Sequence, residues 1–465
     1  LVVRRPGPTQ RQYALLEATR EFAHDRAAQS GELELARARH GALFLQFGLA
    51  AAAALDGPSA PRWTAQFELA ESDIRAAIEQ LRGEDRLEDA AVLELALAAY
   101  ALRRYRLSQI RERLGPLGVD PRLSGLTRAE AFRRSGEAAM VADDFVAAAS
   151  AFAAALEVAT AAHLDEVELR VRVHQAELMR AENAPEEQIL SLLDAVLEAA
   201  AAGAVEAEGE ALRLRAITHW DRGELQQART DAERARRQAQ RHGRVRSLAD
   251  TQNTLSGILR DLGELDSAEE LLEFAGAYFR AIDDPLESAY NDYSRARIAL
   301  LKGELQMAVE LGEESLRRFS LISDAWGAAM SQRLLGEAAL ALGQTVEARR
   351  WLKSALGALE ERAFTADIVG VSEALARLAL SEGAAEQAVA TARGALALIQ
   401  PSQRSRYRAS LLTTLSLAEL ASGRPDAALE AAGAAVDAAG ESGAVLPLAQ
   451  AKQALRDCQK ATAAG

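Results

Sequence analysis

The side chains that could carry chemistry are few and scattered. The six histidines are His24, His40, His163, His174, His219 and His242, and the one cysteine is Cys458. No two histidines stand at the close spacing that sets a pair of metal ligands on one helical face, as in H-E-x-x-H. His163, with Asp165 and Glu166 beside it, reads as a surface polar cluster. A single cysteine excludes an intrachain disulfide and a cysteine-rich metal site, and Cys458 reads as a lone thiol on a terminal helix. Neither a Gly-x-Ser-x-Gly elbow nor a G-x-x-x-x-G-K-S/T phosphate loop stands out; Gly440-Glu441-Ser442-Gly443 lacks the lysine. The pattern points to binding rather than catalysis, with no cofactor and no metal expected.

Charge narrows the partner. The chain has 465 residues with 54 basic against 68 acidic side chains, a net charge of −14. That balance argues against an extended nucleic-acid surface. The densest basic run is Arg234, Arg236, Arg237, Arg241, Arg244 and Arg246, with His242 inside it. Asp231, Glu233 and Asp250 interrupt it, so it reads as a solvated helix face. No apolar run is long enough to span a membrane. Aromatics are 5% of the chain, so a core must come mostly from Leu, Ala and Val. The chain opens on Leu1 rather than Met, and the expectation is a piece of a longer cytoplasmic protein.

The elements that must position any site follow from a repeat. Gly223, Gly263, Gly303, Gly343, Gly383 and Gly423 recur at one constant interval. Five positions after each is Ala228, Ala268, Ala308, Ala348, Ala388 or Ala428. Seven before each is Ala216, Ser256, Ala296, Gly336, Ala376 or Ser416. Twelve after each is Ala235, Ala275, Ser315, Ala355, Ala395 or Ala435. Asp143 and Asn183 extend the turn position backward, and over eight repeats 23 of 24 positions in the three columns are small, with Gln188 the exception. Leu255, Ile258, Leu259 and Leu262 show the three-to-four spacing of an amphipathic helix ending at Gly263. Leu265, Ala268, Leu271, Leu272 and Ala275 give a second helix of the same period. Small residues at the facing positions let the two helices approach closely, so each repeat is an antiparallel hairpin stacked on its neighbours.

The offsets of seven and twelve between small columns resemble the tetratricopeptide repeat, although the usual unit of that motif is shorter, about 34 residues against about 40 here. The resemblance implies an all-α, right-handed superhelical solenoid of eight hairpins with a concave groove lined by the first helices. Positions three before and one after the first small column should face that groove. They give Arg213, Asn253, Tyr293 and Arg333, then Arg297, Glu337 and Arg377, with Tyr290 one helical turn from Tyr293. Arg and Tyr are the types enriched where proteins recognise partners. The expected occupant is a protein partner or a small-molecule inducer. Replacing Arg333 and Tyr293 together by alanine is expected to weaken it without changing the melting temperature. Oligomeric state is left open.

Leu1 to Leu16 reads as strand, turn and strand around Pro6-Gly7-Pro8, a short β-hairpin. The segment from Tyr13 to Arg26 resembles the region in bacterial STAND-type signal-transduction NTPases, including AfsR and LuxR-like ATPase regulators, that joins a winged helix to helical repeats. The resemblance continues through Gly31 to Phe44, with Arg39-His40 and Phe44-Leu45, and through Trp63, Glu68 and Asp73 to Ala77. It implies that Leu1 to Leu16 ends a winged helix, and that the repeats sense a ligand or partner for an NTPase controlling transcription. The expected divisions are 1–16 for the hairpin, 17–125 for an irregular helical region with a degenerate repeat near Ala90 to Leu114, 126–444 for eight repeats and 445–465 for a capping helix and tail. The alternative is a free-standing scaffold that gathers protein partners.

Overall fold

A left-handed residue falls at nearly every twentieth position of the repeats, and this rhythm builds the molecule. In the computed structural model, which describes residues 2–5, 12–201, 203–361, 365–399 and 407–464, all eight expected turn positions have positive φ, from Asp143 at 56° and Asn183 at 57° to the glycines between Gly223 and Gly423. The turns between hairpins do the same at His163, Gly203, Gly243, Asp283, Ser323 and Gly443. Most of these turns close with a backbone bond back over the helix end, as from Glu264 N to Leu259 O at 2.9 Å and from Asp324 N to Phe319 O at 3.0 Å. The left-handed residue is followed at several turns by an aspartate that caps the next helix: Asp144, Asp284 and Asp324 accept from the backbone N–H three residues on. Helices of 17 residues recur through the stack. The unit exceeds the usual tetratricopeptide length because its helices are long, not because its turns are.

The helices are α1 (Glu17–Ser30), α2 (Leu33–Ala54), α3 (Ala60–Gly83), α4 (Leu87–Arg103), α5 (Leu107–Val119), α6 (Gly125–Val141), α7 (Phe145–Ala161), α8 (Asp165–Ala181), α9 (Glu186–Ala200), α10 (Val205–Asp221) and α11 (Leu225–Arg241). They continue as α12 (Val245–Asp261), α13 (Leu265–Ala281), α14 (Pro285–Lys302), α15 (Leu305–Leu321), α16 (Ala325–Ala341), α17 (Thr345–Glu360), α18 (Thr365–Ser381), α19 (Ala385–Ala397), α20 (Arg408–Ala421), α21 (Pro425–Ser442) and α22 (Val445–Ala464). Val2–Arg5 runs antiparallel to Gln12–Leu15. The turn expected at Pro6-Gly7-Pro8 lies outside the described residues, as does Leu1.

The chain divides into two compact units. The first holds Leu1–Glu208 with the turn segments Arg241–Arg246 and Ala281–Asp283; the second holds Gly209–Gln240, Ser247–Arg280 and Asp284–Gly465. In the first unit, α2, α3 and α4 are joined by a cluster of aromatic rings. Phe47 packs on Trp63 at 5.4 Å and on Phe67 at 5.6 Å, and Phe67 stacks on Tyr100 at 5.2 Å. From α6 onward the small columns take over as the close contacts. Ala228, Ala268, Ala308, Ala348, Ala388 and Ala428 are all fully buried, which is what allows helix pairs to pack backbone to backbone.

One repeat departs from the frame. Pro185 precedes α9 and starts it one position late, so Ile189, Leu193, Val196 and Ala200 are its buried face. Gln188 is therefore not a polar intruder in a small column; Ile189 has taken its place. Ala195, small and seemingly in frame, is exposed. At the other end, α22 packs on α20 and α21, with Lys452, Arg456 and Lys460 exposed. Cys458 is buried with Ala428 and Ala432, and burial pushes its thiol pKa up. Within the second unit the turn before α22 also reaches back: Ala444 belongs to the core around Leu225, Leu262 and Ile298.

Candidate ligand-binding site

Within the second unit α14, α16, α18 and α20 lie side by side as a layer of first helices. Polar ties one repeat apart stitch such helices together. Trp220 Nε1 donates to Asp261 at 2.7 Å, Trp326 Nε1 to Asp367 at 2.7 Å, and Thr414 Oγ1 to Glu373 at 2.9 Å. In the first unit α8 is tied likewise to the start of α10, where Ala207 N donates to Glu166 at 2.8 Å.

The expected site residues do not share one environment. Four of them converge. Arg297 of α14 donates from Nη1 to Glu337 Oε2 at 2.7 Å, and Arg333 donates from Nε to Glu337 Oε1 at 2.7 Å, so one carboxylate of α16 bridges two guanidinium groups. The Arg333 guanidinium lies over the ring of Tyr407, 5.0 Å from its centroid, a stabilising contact for a desolvated cation. Tyr293 is half-buried and near enough to act on both arginines. Arg377 is exposed, 3.8 Å from Glu373. Burial alone would raise the pKa of Glu337, but Arg297, Arg333 and Arg377 outweigh it and hold that pKa at about 2. The same pairing holds Arg297 and Arg333 above the usual arginine range against the pull of burial.

The remaining three stand apart from this cluster. Tyr290 serves packing: its ring meets Phe319 edge-on at 5.0 Å and Trp326 at 5.9 Å. Asn253 is half-buried on α12, and its Oδ1 has no hydrogen-bond partner. Arg213 is half-buried on α10. Arg333 is itself buried, its side chain 6% exposed. The expectation that its removal leaves the melting temperature unchanged is therefore corrected: Arg333→Ala strips a buried ion pair.

No family model matches the chain, and no curated protein matches it. Solved structures do. A Rap protein complexed with Competence and Sporulation Factor is similar with a TM-score of 0.51 and 12% identity, over 71% of this chain and 98% of that one. The Rap conjugation gene regulator of the plasmid pLS20, in complex with a Phr peptide, is similar with a TM-score of 0.52 and 15% identity, over 70% of this chain and 96% of that one. A tetratricopeptide repeat protein from Parabacteroides merdae shows a TM-score of 0.38 and 13% identity, over 63% of this chain and 98% of that one. The fold is a tetratricopeptide-type helical solenoid.

The tetratricopeptide frame locates what the sequence reading missed. The column holding Arg213, Asn253, Tyr293 and Arg333 runs on to Glu373, which is 6% exposed and bonded by Thr414. It also runs back five repeats from Arg333 to Arg133. Arg133 is fully buried in the first unit and surrounded: it donates to both oxygens of Glu130 at 3.0 and 2.8 Å and to Glu137 at 2.5 Å. His174 stands 3.2 Å from it, 3.1 Å from Glu137, and stacked on Phe152 at 5.3 Å. Burial would lower the His174 pKa, but bonds to Glu137 and Glu177 raise it to about 9. Tyr407 belongs to no column, and only the folded chain puts it under Arg333.

The other candidate groups are tied up locally. Arg244, in the basic run, pairs with Glu206 at 2.6 Å, and Arg237 reaches Glu233 at 3.5 Å. His163 is an exposed turn residue. Among the described residues no group of three or more His, Cys, Asp or Glu could hold a metal ion, and no helix is long and apolar enough to cross a membrane.

Proposed function

We propose that the first-helix face of the second unit binds a peptide or protein segment and serves as the recognition arm of a regulatory protein. The observation that carries this reading is a set of polar atoms without partners on the first helices. The carboxamide oxygens of Gln252, Asn253 and Gln332 accept no hydrogen bond, and Gln252 and Gln332 hold the same place two repeats apart. A buried amide oxygen without a donor is unfavourable by about 1–3 kcal/mol. An extended peptide, whose backbone offers N–H groups at regular intervals, supplies those donors. Two similar solved structures are, by their descriptions, complexed with Competence and Sporulation Factor and with a Phr peptide, which supports a peptide or protein occupant.

The wider reading is the sensory arm of a STAND-type NTPase regulator of transcription, acting in the cytoplasm with no catalysis of its own. Its support is the resemblance of the residues between Tyr13 and Ala77 to that class. The binding face is tested with Asn253→Ala and Tyr293→Ala combined, since both are half-buried and outside the buried ion pairs. The double variant is expected to lose at least about tenfold in affinity for a partner that co-purifies with the wild-type chain, with helicity unchanged. Equal affinity removes the assignment. The regulator reading is tested in the genomic DNA upstream of the Leu1 codon: an in-frame phosphate loop supports it, and a stop codon close upstream removes it.

A further inference from the structure

Arg297 and Arg333 carry more donors than their neighbours accept. A guanidinium has five N–H groups, and Glu337 accepts from each arginine once. Among the described residues neither Nη1 nor Nη2 of Arg333 donates a hydrogen bond, and neither does Nε of Arg297. The bonded cluster is also uneven in charge. Among the described residues two guanidinium groups, those of Arg297 and Arg333, bond to the one carboxylate of Glu337, while the next carboxylate, Glu373, takes a bond from Thr414 and lies 3.8 Å from the exposed Arg377. A buried charge is stable when its hydrogen-bonding groups are filled; those of Arg333 are not.

The surroundings hold the unfilled side of Arg333 in place. Glu337 fixes its Nε edge, and the Tyr407 ring fixes its plane. Gly370 of α18 leaves room for it: a Cβ at that position would lie 2.2 Å from Nη1 and 3.0 Å from the Tyr407 ring. A planar fork of this kind matches a carboxylate, which accepts two parallel N–H bonds and would give the two guanidinium groups a second carboxylate to share.

We infer that Arg333 and Arg297, oriented by Glu337 and by the ring of Tyr407, form a carboxylate-binding site, so that the ligand of the first-helix face is a peptide segment presenting an acidic group there. This rests on the reading of that face as a binding surface and adds the chemistry of one subsite.

The test is calorimetric titration of the full chain with glutarate and, separately, inorganic phosphate, at constant ionic strength. Glutarate is expected to bind the wild type with millimolar affinity. Arg333→Gln is expected to weaken it at least about tenfold, and the exposed Arg350→Gln to leave it unchanged. Because Arg333→Gln removes a buried pair and can unfold the unit, Gly370→Ala is measured beside it; it keeps every charge but places a methyl group against Nη1, with an expected loss of about fivefold. Absence of glutarate binding to folded wild type, or equal binding by Gly370→Ala, overturns the inference. Phosphate binding that depends on Arg333 in place of glutarate binding overturns the carboxylate assignment. If the partner-binding loss of Asn253→Ala with Tyr293→Ala persists while glutarate fails, the binding face stands and the acidic subsite falls.

Discussion

Arg133 and Arg333 occupy the same place in the hairpin, five repeats apart, and each has a glutamate four residues on, yet they end in opposite states. Arg133 is closed off: Glu130 and Glu137 take its donors, and His174 stands against it beside Phe152. Arg333 shares its one carboxylate with Arg297 and keeps two nitrogens unbonded. Part of the difference lies on the same helix, where Glu130, three residues before Arg133, is matched by Met330 before Arg333, and part in what the neighbouring first helix sends across. One repeat on from Arg133, α8 presents His174 to Glu137; one repeat back from Glu337, α14 presents a second arginine. The same position is thus filled by its neighbours in one unit and left with unbonded donors in the other, and the proposed subsite rests on that difference.

The largest expected effect separates the two arginines in stability. Arg133→Ala removes the fully buried cation shared by Glu130 and Glu137, leaving them only Arg134 and His174, and is expected to destabilise by about 3–5 kcal/mol. Arg333→Ala leaves Glu337 still paired with Arg297 and is expected to cost less, about 1–3 kcal/mol. Urea unfolding of both variants checks the order; equal losses mean that the networks do not differ in closure.

Next in size is a pH dependence that belongs to the first unit alone. The folded pKa of His174 is raised to about 9 from an ordinary value of about 6.5. Its contribution is full below the ordinary value and fades as pH rises through 9, by roughly 3 kcal/mol at most. Glu337, held at about 2, behaves oppositely: its contribution is present above its ordinary value of about 4.5 and fades as pH falls toward 2. Melting curves between pH 3 and 10 should therefore show an alkaline decline that disappears in His174→Gln and an acid decline that does not. An alkaline decline untouched by that substitution removes His174 from the network's account.

The smallest effect sharpens the comparison most. Gly370→Ala should change stability by only about 1 kcal/mol, because the far end of Arg333 can shift, while moving the guanidinium edge assigned to the proposed carboxylate subsite. A loss much larger than that would show that Arg333 is as rigidly built in as Arg133.

Much of this architecture was legible because its signals are steric. A turn that needs a left-handed residue accepts few residue types, and a column where two backbones approach accepts only small ones. The turns between hairpins gave a broken signal, since His163, Asp283 and Ser323 adopt without glycine the conformation that Gly203, Gly243 and Gly443 adopt with it. Small residues also misled: Ala195 satisfied the column by composition while Pro185 had displaced the helix beneath it. For the candidate site, spacing gave the face and named Arg297, Arg333 and Glu337 together. It could not give the floor, because Tyr407 reaches Arg333 from outside the repeat frame, nor separate Tyr290, a packing residue, from Tyr293 beside it.

The return of Ala444 to the core of Leu225, Leu262 and Ile298 changes how the second unit resists unfolding. In an open stack of repeats each hairpin leans only on its neighbours, and the last one frays first at little cost to the rest. Here the turn before the final helix is also a plug for hairpins far upstream in the sequence. Peeling α22 away uncovers apolar surface at both places, so the end of the chain acts as a clasp, and the unit opens as a whole or hardly at all.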